Sequence, residues 1–213
     1  MNLFQILLVL HILGGSISLL LGLFIMITKK GNRIHKIVGK IYFYSMLTAA
    51  IVALPMSYLH PNYFLFIIGV FTAFMLLSGK RYLLKKKTSD VTSTDWLLTI
   101  IMLIFGLGFL GFGMLNLIKN EFFGIVFIAF GSISLLFVGQ DYKNFKGKSS
   151  VKNYWLTTHI QRMTGSYIAS VTAFIVVNNT ILPDIIAWLL PTLIIVPLII
   201  KWSTKYKIQT PIN

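Results

Sequence analysis

The sequence contains no cysteine, which excludes disulfide bonds, thiolate metal sites and cysteine nucleophiles. Charged residues are also scarce: they make up 11% of the chain, whereas a soluble globular protein has about a quarter. Hydrophobic residues make up 56% of the 213 residues, and the mean hydropathy is +0.83. This composition excludes a soluble domain and predicts an integral membrane protein.

Acidic residues are few, and all five lie between the apolar segments or at their ends: Asp90, Asp95, Glu121, Asp141 and Asp184. We therefore expect no carboxylate pair at membrane depth. That expectation argues against a proton pump of the buried-carboxylate type, an aspartyl intramembrane protease and a carboxylate-rich metal centre. Motifs of serine hydrolases, phosphate-binding loops and zinc proteases are absent from the sequence as well.

Seven apolar segments follow one another along the chain, and the first is about long enough to cross a ~30 Å hydrocarbon core. They span residues 3–28, 41–59, 63–78, 96–118, 122–138, 154–177 and 185–202. We therefore predict a single domain, an all-α bundle of seven transmembrane helices.

The basic residues alternate between the two sides of these segments. All but two of the 19 Lys and Arg residues fall in the first, third and fifth connections or in the C-terminal tail, and the exceptions are Lys119 and Arg162. Because basic connections face the cytoplasm, we expect the N-terminus outside and the C-terminus in the cytoplasm. The net charge of +14 then indicates topology and contacts with anionic lipid headgroups on the cytoplasmic side, not nucleic-acid binding.

The sixth segment is unusual because it contains His159 and Arg162, with Ser166 one turn further along the same face as Arg162. An arginine at this depth costs about 2.5–3.5 kcal/mol on insertion scales, so we expect its side chain to face the bundle interior. Two arrangements satisfy that expectation. Arg162 either pairs with Asp141 of the neighbouring segment or holds an anionic group such as a carboxylate, a phosphate or a haem propionate.

Two further histidines are candidates for a site. His11 lies about 12 Å below the outer end of the first segment, on a stripe of small residues that includes Gly15 and permits close helix packing. His35 lies before the second segment, where it opens the second helix at the inner interface, with Tyr42 two turns further on. Judged by depth, His35 and His159 form an inner pair.

Two stretches resemble known sequences. The first, which resembles the opening of a bacterial family of multi-pass membrane proteins classified as a domain of unknown function, comprises His11-Ile12-Leu13-Gly14, Gly22, Lys30-Gly31 and His35-Lys36-x-x-Gly39-Lys40-x-Tyr42. The second, which is similar to a later block of related hypothetical proteins, comprises His159-x-x-Arg162-Met163-x-Gly165-Ser166-Tyr167-Ile168-Ala169. The resemblance implies a multi-pass protein of the bacterial cytoplasmic (inner) membrane and assigns no activity.

Three functions are compatible with these residues. The first hypothesis is a haem-binding protein with a redox or electron-transfer role. In it, haem b has axial ligands from His11, His35 or His159, and Arg162 pairs with the propionates. The second is a transporter or channel for a small, anionic solute, lined by His11, His159 and Arg162. The third is a membrane enzyme with a metal held by His11 and His159, for which the sequence supplies no carboxylate general base.

Overall fold

The structure is a computed structural model that describes residues 2–208. Within that range, short connections and one 3-10 turn (Thr88–Asp90) join seven α helices. The helices are α1 (Leu3–Ile27), α2 (Arg33–Leu59), α3 (Tyr63–Tyr82), α4 (Ser93–Ile118), α5 (Gly124–Phe145), α6 (Tyr154–Val177) and α7 (Asp184–Tyr206). All seven are long and apolar enough to cross a membrane, which confirms the predicted all-α architecture with seven candidate spans.

Several helices extend beyond the apolar segments from which they were predicted. α2 begins at Arg33 rather than at residue 41, and α5 ends at Phe145 rather than at residue 138. The Asn32 side chain caps the start of α2 by accepting a hydrogen bond from an amide of the first turn. Hydropathy marks where contact with lipid ends, whereas the backbone hydrogen bonds of a helix continue into basic segments because Lys and Arg are good helix formers.

Consecutive helices pair as the hairpins α1–α2, α4–α5 and α6–α7, and α3 packs between them against α2 and α6. In its most apolar stretch, α3 has 61% of its residues buried, compared with 17% for α1. The largest core cluster joins α2, α3 and α6 through residues such as Tyr42, Leu76 and Tyr167. α3 is therefore the central helix of the bundle, and the inner faces of α2 and α6 surround it.

The basic connections gather at one end of the bundle, which we call the basic end. There the amide of Lys152 donates to the carbonyl of Ile208 at 2.8 Å, and the Lys30 ammonium lies 4.6 Å from the ring centre of Trp202. These contacts join the α1–α2 and α5–α6 connections to the C-terminal part of α7. The alternation of charge along the sequence thus corresponds to one cationic end of the folded chain.

Candidate functional site

A cavity of about 460 Å³ opens at the basic end between α1, α2, α6 and α7, and we call it the apolar cavity. Carbon atoms make up most of its wall, including those of Met26, Phe43, Ile160, Met163 and Trp202. Its polar groups come from a few side chains with imidazole, ammonium or phenol groups. Such a wall suits a ligand with a large apolar part and a small number of polar groups.

Glycine and two tyrosines shape the inner part of this cavity. A Cβ atom at Gly22 would collide with the Tyr167 ring, so α1 and α6 can approach each other here because Gly22 has no side chain. The Tyr42 and Ser166 hydroxyls, from α2 and α6, form a buried hydrogen bond of 2.8 Å. Tyr42 and Ser166, both predicted as supporting residues, therefore lie in contact with each other next to the cavity.

His159 lies on the wall of the apolar cavity in a fixed orientation. Its Nδ1 lies 2.8 Å from the Gly79 carbonyl on α3. A carbonyl can only accept a hydrogen bond, so Nδ1 carries a proton, and in the neutral imidazole Nε2 therefore keeps its lone pair. His35 from the first turn of α2 lines the same cavity, and its Nδ1 is buried without a hydrogen-bond partner among residues 2–208. The pair expected from depth alone thus shares one cavity.

Four lysines also line the apolar cavity: Lys30, Lys36, Lys40 and Lys80. The Lys30 ammonium donates to the carbonyls of Ile25, Met26 and Thr28 at the end of α1, at 2.7, 2.6 and 3.0 Å. Partial burial lowers the pKa of Lys30 below its ordinary value. Lys36 and Lys40 are exposed and one helical turn apart. No Asp or Glu lines this cavity among the residues that the structure describes, so its charged groups are all cationic.

His11 and Gly15 lie away from this cavity. The His11 Nδ1 lies 2.9 Å from the Ala49 carbonyl on α2. His11 is about 16 Å along α1 from Gly22 at 1.5 Å per residue, and it does not line the apolar cavity. The close approach of α1 and α2 occurs at Gly14, because a Cβ at Gly15 would have no neighbour within 4 Å. The structure therefore does not bring His11 and His159 together.

Arg162 pairs with Asp141, which is the first of the two arrangements expected from the sequence. Its Nη2 donates to Asp141 Oδ1 at 2.8 Å and to the Phe137 carbonyl at 3.1 Å. The guanidinium carbon lies 4.0 Å from the ring centre of Phe137 and 4.8 Å from that of Phe74. None of the Arg162 surface is exposed, and Asp141 is 1% exposed. Arg162 is therefore part of the protein core and does not line the apolar cavity.

Further side chains complete the environment of Asp141. The Tyr82 hydroxyl donates to its Oδ1 at 2.7 Å, and the Thr99 hydroxyl donates to its Oδ2 at 3.1 Å. The Asn144 amide then donates to the Tyr82 hydroxyl at 3.2 Å. This network joins α3, α4, α5 and α6 in the interior. Both carboxylate oxygens of Asp141 have hydrogen-bond partners, whereas Arg162 Nε and Nη1 have none among the described residues. Because the network is buried and connects four helices, its main role is structural.

A second buried carboxylate, that of Asp95, was not expected from the sequence. Asp95 Oδ1 lies 2.6 Å from Arg81 Nε and 2.6 Å from Lys85 Nζ. Asp95 and Lys85 are each 2% exposed. Burial lowers the pKa of Lys85 even though Asp95 opposes this effect. The spacing Thr92-x-x-Asp95 is typical of a helix start and could have indicated that Asp95 caps α4. It does not reveal that the α3–α4 connection folds over the carboxylate.

The expectation that every carboxylate lies outside the helices or at their ends holds for Asp95 and is wrong for Asp141, which lies inside α5. Asp141 is buried within α5, and Asp95 is buried in the first turn of α4. Both are paired with cations. Among residues 2–208, no three His, Cys, Asp or Glu side chains are placed to hold a metal ion, so these carboxylates do not form a protein-only metal centre there.

Comparisons with protein-family models, with curated proteins and with solved structures returned no match for this chain. The resemblance of the opening and later stretches to a family of unknown function therefore stays a prediction. The function must be inferred from the geometry of the apolar cavity and from the distribution of charge.

Proposed function

We propose that the chain is a multi-pass protein of the bacterial inner membrane whose basic end faces the cytoplasm. Support comes from the positive-inside rule, because the basic connections and the C-terminal part of α7 lie at this end of the bundle. The opposite end carries the connections around His60 and Lys119. In this orientation the N-terminus is outside, and Lys36 and Lys40 lie at the depth of anionic lipid headgroups.

In that orientation, the apolar cavity binds one molecule with an apolar body and an anionic head. A single observation carries this proposal: the cavity has a carbon-rich wall, four lysines and no carboxylate among the described residues. Burial of the apolar body contributes about 25 cal/mol per Å² of surface removed from water. Each lysine near an anionic group contributes about 1 kcal/mol. Lys36 and Lys40 are the main contacts for the head, because the Lys30 ammonium already donates to three carbonyls.

Binding of dibromostearate to the full chain in maltoside micelles tests the proposal, because its bromine atoms quench nearby tryptophans and Trp202 lines the cavity. We expect saturable quenching that is lost in Trp202→Phe. The Lys36→Gln/Lys40→Gln variant should weaken binding about 30-fold, the equivalent of about 2 kcal/mol. The methyl ester of the same acid should bind the wild type and this variant equally.

The matched control is Lys29→Gln/Lys201→Gln, which removes the same charge at two exposed lysines that do not line the apolar cavity. It should bind dibromostearate as the wild type does. If the two double variants reached half-saturation at the same dibromostearate concentration, binding would depend only on the overall charge of the protein. If saturable quenching persisted in Trp202→Phe, the fatty acid would bind elsewhere.

Haem b is a second candidate occupant of the same cavity, favoured by the orientation of His159. Its Nε2 is left as a free imidazole nitrogen, the group that ligates haem iron, and His35 lines the same cavity. When bound, haem would supply one-electron redox chemistry. Lys36 and Lys40 are suitable partners for its propionates, whereas Arg162 is already paired with Asp141. His11 has no place in this site.

Absorbance spectroscopy of the purified chain, with and without added haem, distinguishes haem from other amphiphiles. If haem is the ligand, the wild type shows a Soret band, His159→Ala loses or shifts it, and His11→Ala keeps it. His11→Ala is the control because that imidazole contacts the Ala49 carbonyl outside the cavity. Absence of a Soret band in the wild type after haem addition excludes haem and leaves the fatty-acid experiment decisive for the broader proposal.

A further inference from the structure

A second cavity, of about 720 Å³, lies on the other face of α6 between α5, α6 and α7, and we call it the polar cavity. Three lysines line it: Lys143, Lys148 and Lys207. Side-chain amides and hydroxyls of α5, α6 and α7 line much of the rest. No Asp or Glu is among its lining residues within 2–208. It shares no lining residue with the apolar cavity.

Two buried hydroxyls in the wall of the polar cavity have no hydrogen-bond partner in the described part of the chain. They are Tyr154 Oη, from the first turn of α6, and Ser203 Oγ, from α7. Tyr154 is 7% exposed and Ser203 is 9% exposed. Buried polar atoms are nearly always hydrogen-bonded to protein, water or ligand. Two unpartnered hydroxyls in the wall of one cavity are thus free to donate to a ligand with acceptor atoms after small side-chain movements.

The wall is held in place by the buried network around Asp141 and by contacts between α5 and α6. The Asn144 amide, which lines the polar cavity, donates to the Thr158 hydroxyl at 3.3 Å and to the Tyr82 hydroxyl at 3.2 Å. The Gln140 amide donates to the Gln161 side chain at 2.6 Å across the α5–α6 interface. These contacts fix the side of the cavity formed by α5 and α6, so its polar groups are positioned before a ligand arrives.

We propose that the polar cavity binds a phosphate group. A phosphate has only acceptor oxygens and a negative charge, which matches three ammonium groups and several hydroxyl donors with no competing carboxylate among the described lining residues. A divalent cation would lack carboxylate ligands here. The phosphate can belong to free inorganic phosphate or to a phospholipid headgroup, since the cavity lies at the basic end where lipid headgroups are present. This site is independent of the ligand proposed for the apolar cavity.

Isothermal titration of the full chain in phosphate-free maltoside with inorganic phosphate tests the free-anion source. The Lys148→Gln/Lys207→Gln variant should raise Kd at least tenfold. The Tyr154→Phe/Ser203→Ala variant should raise it on the order of tenfold through the loss of two hydrogen bonds, with its thermal midpoint used to show that it is folded. Lys29→Gln/Lys201→Gln, at two exposed lysines that line neither cavity, is the control and should leave Kd unchanged.

Native mass spectrometry tests the lipid source with phosphatidylglycerol and, as the comparison that lacks phosphate, diacylglycerol. Retention of phosphatidylglycerol that falls in Lys148→Gln/Lys207→Gln, together with weak inorganic phosphate binding, assigns the site to a lipid headgroup. The proposal is overturned if neither probe binds, or if the variants of the polar cavity and Lys29→Gln/Lys201→Gln weaken binding equally. Loss of dibromostearate binding in the other cavity has no bearing on either result.

Discussion

Replacing Arg162 with methionine is expected to destabilise the protein by about 3–5 kcal/mol, because Asp141 then remains buried without its cation. The side chain has no exposed surface, so no water can take the place of the guanidinium without a change in packing. Tyr82 and Thr99 still donate to the carboxylate but bring no charge. The measurement is the free energy of unfolding in mixed micelles with increasing denaturing detergent, followed by tryptophan fluorescence.

The double variant Arg162→Met/Asp141→Leu separates the loss of the pair from the burial of a lone charge. Because an apolar pair of similar volume can replace a buried ion pair at little net cost, the double variant should be more stable than either single variant. Additive losses, with the double variant least stable, would contradict this explanation. They would show that the packing of Arg162 against Phe74 and Phe137, and not its charge, determines stability.

A leucine at Gly113 is expected to destabilise the α4–α5 hairpin by about 1–3 kcal/mol, or to displace the two helices. A Cβ at this position would lie 2.9 Å from the Gly124 carbonyl oxygen and 3.0 Å from the Ile128 amide. Both are backbone atoms that no rotamer change can move. The same unfolding measurement applies, and the yield of monodisperse protein after extraction provides a second measure.

Gly111→Leu is the matched control for this experiment. It lies in the same Gly-rich stretch of α4, but a Cβ there would have no neighbour within 4 Å. We expect its stability to be close to that of the wild type. If the two variants behaved alike, glycine in this stretch would matter for helix insertion or flexibility and not for the close contact between α4 and α5.

The features predicted best are those that the bilayer itself imposes. A helix that crosses the hydrocarbon core needs a long apolar segment, so hydropathy locates the seven helices and depth alone places His35 and His159 together. The ends of the helices were less well predicted. Contact with lipid ends before the helix does, which is why Asp141 was expected near the end of a span and is found buried inside α5.

Hydropathy does not predict which neighbouring helix each side chain faces. His11 and His159 both lie at membrane depth, yet each forms its contact with a backbone carbonyl of a different helix. Either Gly14 or Gly15 could permit the close approach of α2. The rotation of α1 about its axis decides between them, and a pair of adjacent glycines does not specify that rotation. The burial of Lys85 against Asp95 depends on the path of an irregular connection, for which periodicity gives no information.

The two cavities lie against separate faces of α6. His159, Met163 and Tyr167 line the apolar cavity, whereas Tyr154 and Gln161 line the polar cavity. For each cavity, the lining residues of α6 recur every three or four positions, as expected when each cavity lies against one face of the helix. Variants along this helix should therefore affect the binding of one ligand or the other according to helical phase.

The order of the chain has a consequence for how Arg162 enters the bilayer during synthesis. All of its hydrogen-bond acceptors lie on α5, and the Tyr82 and Thr99 groups that also bind Asp141 lie on α3 and α4. Helices emerge from the ribosome in sequence order. When α6 is inserted, its complete set of partners is already in the membrane. Arg162, the cation whose burial in the bilayer costs the most free energy, is thus inserted after all of its partners. Its charge is neutralised without any contribution from α7.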